Sequence, residues 1–116
     1  MRISVHSLQR YKRQLKRLEK KYRTALEQSY LLSEDIKRGE NPGDAIPGFE
    51  SIVYKARRNN RAVSGGARKG YRFIYCIHPP DQATMISVYA KTEQENISDS
   101  EIAELLKDVE RRLSGN

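Results

Sequence analysis

The sequence predicts an α+β fold with the order β-α-α-β-β-β-α: a small antiparallel sheet of about four strands, an N-terminal helical hairpin and a C-terminal helix. Three observations predict it. Apolar residues near the N-terminus recur at helical spacing, two strand-like runs flank a glycine-rich connection, and a helix-start signal lies near the C-terminus. We expect the helices to pack on one face of the sheet. The chain of 116 residues is the size of one domain, 1–116.

The N-terminal helix is predicted by apolar residues at steps of three and four from Leu8 to Tyr22, after a weak strand pattern over 2–6. Its other face is rich in Lys and Arg. A basic helix face is either an ordinary solvated surface or an aid to binding RNA or an acidic partner.

The second helix is predicted to begin at a capping box, Thr24-x-x-Glu27, and to run to about Arg38. Gly39 then follows as the residue that ends it. The two helices therefore form a hairpin.

Two central strands are predicted at Ile52–Arg58 and Tyr71–His78. Because successive side chains of a strand alternate between faces, Lys55 and Arg57 share one face of the first run. If the two runs pair as a hairpin, Arg72 can meet them there. Three cations on one sheet face either suit a polyanion or are the wet side of an antiparallel sheet.

The connection between these runs is basic and contains Gly65-Gly66. One interpretation is a flexible surface loop; the other is a mobile basic flap beside the Lys55 face. In the second case its cations would contact RNA: Arg58, Arg61, Arg68 and Lys69.

A third central strand is predicted at Ala83–Lys91. Strict alternation would place two sets of residues on opposite faces: Met85, Ser87, Tyr89 and Lys91 on one, and Ile86, Val88 and Ala90 on the other.

The C-terminal helix is predicted from a second capping box, Ser98-x-x-Glu101. Ile97 and Ile102 flank its start as a hydrophobic staple, and an apolar stripe follows, opposite an acidic face.

The charge is strongly uneven. The net charge is +7, made of +7 over residues 1–39, +4 over 40–78 and −4 over 79–116. A basic body with an acidic end suits a nucleic acid or an acidic protein as partner, although a merely soluble basic domain has the same composition. The single cysteine, Cys76, fits a reducing cytoplasm, and the sequence has no signal-peptide pattern, membrane span or zinc-ligand spacing.

Five segments, taken in order, resemble the RelE/ParE toxin superfamily of bacterial type II toxin–antitoxin systems. The combination GDxIPG, VYKxR, GYRxIY and YxK is most similar to its RelE and HigB branches. The segments are Leu15–Tyr22, Gly43–Phe49, Val53–Arg57, Gly70–Tyr75 and Ile86–Ser98.

The resemblance implies a cytoplasmic, ribosome-dependent mRNA endoribonuclease that works without metal or cofactor. It implies three partners: mRNA, the ribosome and a co-encoded antitoxin, with no membrane. The free toxin would be monomeric and the antitoxin complex a higher-order assembly.

By similarity, the basic positions of the family correspond to Lys55, Arg57, Arg72 and Lys91. The family's catalytic tyrosine falls at Ile97, which transfers no proton. Tyr89 lies near Lys91 and could stack on a base or act in its place, and His78 is a weaker substitute.

RNA can be cut by its own 2′-hydroxyl, which attacks the adjacent phosphorus and expels the 5′-oxygen. This chemistry needs a base, an acid and cations around the phosphate. We assign Lys55 as the base, because neighbouring cations lower the pKa of its amine, and Arg72 as the main phosphate clamp. Arg57 or Lys91 would assist the leaving group.

Aromatic residues on these strands could stack on RNA bases, but most fall on the predicted helix-packed face, where a core role is favoured: Tyr54, Tyr71, Phe73 and Tyr75. Two other functions stay open. One is a non-enzymatic, ParE-like inhibitor of DNA gyrase, and the other is an inactive relative that only binds its antitoxin.

Overall fold

Within residues 2–50 and 52–115, which the computed structural model describes, the chain forms an α+β fold of three helices and five strands. The predicted domain ends, Met1 and Asn116, lie outside the described residues, as does Ser51. The elements are β1 Ser4–Ser7, α1 Gln9–Lys21, α2 Thr24–Lys37, β2 Asp44–Ala45, β3 Val53–Arg58, a 3₁₀ helix Gly66–Lys69, β4 Tyr71–His78, β5 Gln82–Ala90 and α3 Asp99–Leu113.

The sheet has the strand order β1-β5-β4-β3-β2 and is mixed, so the prediction of an all-antiparallel sheet of about four strands is wrong in two respects. β1 runs parallel to β5, whereas the other neighbouring strands are antiparallel. A parallel pair needs a long connection, and the two helices and three strands between β1 and β5 supply it. The extra strand, β2, consists of Asp44 and Ala45 paired with Lys55 and Tyr54.

The helices cover both faces of the sheet, which corrects the expectation that they share one. In the described residues, α1 and α2 pack against Tyr71, Phe73 and Tyr75 of β4. The alternate β4 residues Ile74 and Cys76 join a second hydrophobic cluster with α3. Because neighbouring strand residues point to opposite faces, the two clusters lie on opposite sides of the sheet. The core role predicted for the β4 aromatic residues is confirmed, since all three are fully buried.

A β-bulge in β5 overturns the predicted alternation of that strand. Ile74 pairs with Ser87 while the next residue, Tyr75, pairs with Met85, so Ile86 has no direct partner on β4. Because of the extra residue, the side chains that precede it in β5 point to the faces opposite to those that strict alternation predicts. Met85 therefore packs in the cluster of α1 and α2, and Ile86 packs in the cluster of α3.

The two predicted capping boxes have different outcomes. Thr24 is already helical, and its hydroxyl contacts the Tyr71 hydroxyl at 2.8 Å instead of capping α2, so that prediction is wrong. Ser98 is the N-cap of α3, and its hydroxyl accepts a hydrogen bond from the Glu101 backbone N–H at 3.1 Å, as predicted. Gly39 follows α2 with φ of 90°, a left-handed conformation that suits glycine.

None of the helices in the described part of the chain is both long enough and apolar enough to span a membrane.

Candidate active site

The predicted cationic face lies on the side of the sheet that also carries α3. Arg57, Arg72 and Tyr89 are direct partners across β3, β4 and β5, so their side chains share one face. Lys55 lies one row away, opposite Ile74. The strand register thus brings together three of the cations predicted from the sequence.

Lys55 is half-buried, and its Nζ donates a hydrogen bond to Asn96 Oδ1 at 3.0 Å. The pKa of its amine is lowered, chiefly by burial and then by the positive charges of Arg57, Lys91 and Arg72. The expected direction therefore agrees, although desolvation is a larger cause than the neighbouring cations. A lysine with a lowered pKa loses its proton more readily and can act as a base.

Arg57 points outward and is available to a ligand. Its side chain is 49% exposed, and Nη1 donates to the Asp44 carboxylate at 2.8 Å. Asp44 itself is 81% exposed. An exposed ion pair of this kind contributes only about 0–1 kcal/mol to stability, so a phosphate group can displace the carboxylate at little cost.

An open pocket of about 260 Å³ lies beside Lys55 and Arg57. Its other walls come from the segment around β2 and from the start of α3: Asp44, Ala45, Ile46, Pro47, Asn96, Ile97, Asp99 and Ile102.

Arg72, predicted to be the main phosphate clamp, does not face outward. It is only 4% exposed, and its guanidinium is directed at its own chain. Nη1 donates to the carbonyl oxygens of Ala67 at 2.6 Å and Tyr71 at 3.1 Å, and Nη2 donates to that of Arg68 at 2.7 Å. Two of its five N–H donors thus hold the 3₁₀ helix, and a third bonds to the carbonyl of the preceding residue in β4.

Gly70, the residue before β4, allows the 3₁₀ helix to lie close to the sheet. A Cβ at Gly70 would come within 2.0 Å of the Arg58 carbonyl oxygen, so no other residue fits there without a shift of the backbone. The Gly70 carbonyl also accepts the Lys91 backbone N–H at 2.8 Å. The G-Y-R segment therefore joins the basic connection to the end of β5.

Tyr89 belongs to the row formed with Arg57 and Arg72, and Lys91 follows just after the end of β5. Tyr89 is 2% exposed, its hydroxyl is 3.4 Å from Asn96 Oδ1, and burial raises its pKa. A buried phenol with a raised pKa is a poor proton donor at neutral pH. Lys91 is partly exposed, and its Nζ donates to the Glu95 carbonyl at 2.6 Å and approaches the Glu95 carboxylate at 3.3 Å.

The four cations predicted to contact RNA separate into two pairs. Arg58 points to the opposite face of the sheet, where Nη2 contacts the Asp35 carboxylate of α2 at 2.9 Å, and Arg61 contacts Glu27 of α2 at 3.0 Å. Neither is brought to the face that carries Lys55, Arg57 and Arg72. Arg68 and Lys69 do lie near it, since they line a cleft of about 460 Å³ that also includes Lys91, Thr92 and Glu95.

Ile97, which stands at the family's tyrosine position, lines the pocket but is buried, and His78, the weaker substitute, lies far from the cations. Ile97 is 4% exposed and packs in the cluster beneath α3. His78 lies six residues from Arg72 along β4, or about 20 Å at the rise of an extended strand. It contacts Cys76 Sγ through Nε2 at 3.1 Å. Burial raises the pKa of that thiol to about 12, so this pair does not form an activated nucleophile.

Asn96 is the residue of this site that the sequence analysis missed. Its Oδ1 accepts hydrogen bonds from Lys55 Nζ and, at 2.9 Å, from the Ile97 backbone N–H. The only sequence signal was a polar amide just before the hydrophobic staple of α3. In the described residues no three His, Cys, Asp or Glu side chains are grouped so that they could hold a metal ion.

No protein-family model matches this chain, and no curated protein matches it. Its function must therefore be inferred from the residues of the cationic face and their arrangement.

Proposed function

We propose that this chain is a RelE-like toxin of a type II toxin–antitoxin system, an endoribonuclease that cuts mRNA on the ribosome and so inhibits translation. One observation carries the proposal: the amine of Lys55, whose pKa is lowered, lies beside the outward-facing guanidinium of Arg57 at an open pocket. A base next to a phosphate-binding cation is the minimum that cleavage by the 2′-hydroxyl requires.

In the proposed reaction, neutral Lys55 removes the proton of a 2′-hydroxyl, whose oxygen forms a bond to the adjacent phosphorus. Arg57 leaves Asp44 and donates to the non-bridging phosphate oxygens as negative charge builds on them. The bond from phosphorus to the 5′-oxygen breaks, and Lys91 supplies the proton that this oxygen needs. The products are a 2′,3′-cyclic phosphate and a 5′-hydroxyl.

Arg72 acts from beneath the site. Because its guanidinium holds the carbonyls of Ala67 and Arg68, it keeps the Arg68 and Lys69 side chains beside Lys91. These two cations are placed to contact the RNA backbone on the leaving-group side. Tyr89 supports the row from within the sheet.

Expression in a bacterial host tests the proposal. Induction of the chain should arrest growth and produce cuts in translated mRNA that keep a fixed phase with codons, mapped by primer extension. Arg57→Ala should make the cuts roughly 100-fold slower, whereas Lys12→Ala, on the exposed outer side of α1, should not. Growth arrest with intact mRNA would overturn the proposed activity.

A second candidate function is inhibition of DNA gyrase without catalysis. The burial of Ile97 and the commitment of Arg72 to backbone carbonyls favour it, because both reduce the groups available for proton transfer. It predicts a DNA-damage response with unchanged mRNA and loss of supercoiling by purified gyrase. A chain that causes neither effect but binds a co-encoded antitoxin would be an inactive relative.

A further inference from the structure

The side-chain carbonyl oxygen of Asn96 accepts hydrogen bonds from three donors beside the cationic face. Oδ1 accepts from Lys55 Nζ at 3.0 Å, from the Ile97 backbone N–H at 2.9 Å and from the Tyr89 hydroxyl at 3.4 Å. The lysine ammonium and the backbone N–H are donors only, so they fix which end of the amide faces inward. An asparagine here can serve all three at once, and an apolar residue can serve none.

The backbone of Asn96 is anchored on both sides. The next residue, Ile97, is buried in the cluster under α3, and Ser98 caps that helix. On the other side, the Gln94 side chain donates to the Asn96 carbonyl at 3.0 Å. The amide of Asn96 therefore keeps its place, although the residue itself is exposed.

We propose that Asn96 is a positioning residue which holds the amine of Lys55 at the mouth of the pocket. Both the charged and the neutral amine can donate a hydrogen bond to the amide oxygen, so Lys55 keeps the same position before and after it takes a proton. The catalytic consequence rests on the proposed nuclease function, but the positioning itself does not.

The charge balance around Lys55 makes this inference testable. The amine has cations and a neutral amide around it. Of the two aspartates that line its pocket, Asp44 pairs with Arg57, and Asp99 lies in the first turn of α3. The charged or titratable groups that face Lys55 come from each packed element: Asp44 from β2, Arg57 from β3, Arg72 from β4, Tyr89 from β5, Lys91 after β5 and Asp99 from α3.

Asn96→Asp keeps the shape and the acceptor but adds a negative charge at the Lys55 amine. We expect the pKa of Lys55 to rise by about one unit or more, measured by NMR from the lysine Cε and Hε shifts of the full chain. Lys55→Arg identifies the Lys55 signal. Asn96→Ala removes the acceptor, and the nuclease rate should fall roughly tenfold, as expected for one lost hydrogen bond of about 1.4 kcal/mol, with KM unchanged.

Gln9→Glu is the matched control, because it adds the same charge at the start of α1, near β1 at the other side of the sheet. A Lys55 pKa that shifts no more in Asn96→Asp than in Gln9→Glu would overturn the positioning role, whatever the nuclease assay shows. A clear shift in a chain that cuts no RNA would support the positioning role and refute the proposed function. If both hold, the ascending, acid-side limb of the pH–rate profile, which a general base sets, should move by the same amount as the Lys55 pKa.

Discussion

Arg57 on β3 and Arg72 on β4 are direct cross-strand partners, so two arginines of like charge lie side by side on one face of the sheet. Such a pair is unfavourable unless each guanidinium finds its own partners. Arg57 turns outward to the Asp44 carboxylate, and Arg72 turns to the carbonyls of Ala67 and Arg68. One arginine of the pair therefore faces the open pocket, and the other holds the 3₁₀ helix.

Arg72→Lys should loosen the 3₁₀ helix while leaving the charge unchanged. A lysine ammonium lacks the planar fork that bridges two carbonyls, so one or more of these acceptors loses its partner. We expect a loss of about 1–3 kcal/mol in the free energy of unfolding and faster tryptic cleavage after Arg68 and Lys69. Arg57→Lys is the control and should change neither property. Equal tryptic rates in the two variants would show that Arg72 does not hold this segment.

Asp44→Asn should strengthen RNA binding. The carboxylate of Asp44 competes with phosphate for Arg57, and the amide competes less well. Because the exposed pair contributes about 0–1 kcal/mol, the gain in affinity should be up to about fivefold, with little change in stability. Fluorescence anisotropy with a short RNA at fixed salt measures it. Asp81→Asn, in the exposed turn before β5, is the control; an identical gain in both variants would assign the effect to net charge alone.

The stability of the protein should depend on Lys55 in a defined pH window. Its pKa in the folded state lies below its ordinary value, so between the two values the unfolded chain binds more protons and stability rises with pH. Below that window the charged lysine disfavours folding. Lys55→Met should therefore be more stable than the natural chain at neutral pH, and the difference should shrink as the pH rises through the window.

Urea unfolding at a series of pH values from neutral to alkaline measures this difference. Lys12→Met, on the exposed side of α1, removes one positive charge without touching the site. A Lys55→Met difference that does not change with pH would contradict the assigned cause, which is burial together with the charges of Arg57, Lys91 and Arg72.

Much of the fold follows from local patterns in the sequence. The helical spacing in α1, the run of β4 and the Ser98 cap are all short-range signals, and each appears as expected. The parallel pairing of β1 with β5 could not be predicted, because it depends on contact between residues nearly eighty positions apart. The bulge at Ile86 was likewise invisible, since one extra residue leaves the apolar composition of β5 unchanged.

Part of the site was also predictable from a local pattern in the sequence. Strand alternation was enough to place Lys55, Arg57 and Arg72 on one face. It could not show that the Arg72 guanidinium bonds to the carbonyls of Ala67 and Arg68, because every residue has a backbone carbonyl and no residue type identifies the acceptors. Arg58 fell on the opposite face as its parity requires, and Asp35 of α2 supplies its partner there.

Ile97→Tyr tests whether a tyrosine at this position could restore the catalytic group implied by the family resemblance. Ile97 is packed in the cluster under α3, and a larger ring should overpack it at a cost of about 1–3 kcal/mol in the free energy of unfolding. We expect lower stability, measured by urea unfolding, and no gain in the rate of RNA cleavage. Tyr89→Phe is the comparison, since it removes only the hydroxyl. A faster reaction in Ile97→Tyr would show that the position can reach the substrate.

The chemistry of the cut ends tests the central claim most directly. The purified chain is added to a translation reaction, and the new RNA ends are identified by their reactivity to kinase and ligase. The account predicts 2′,3′-cyclic phosphates and 5′-hydroxyls on ribosome-bound mRNA, with a rate roughly 100-fold lower in Lys55→Met and Arg57→Ala. Ends with a 3′-hydroxyl and a 5′-phosphate, or an unchanged rate in both variants, would contradict it.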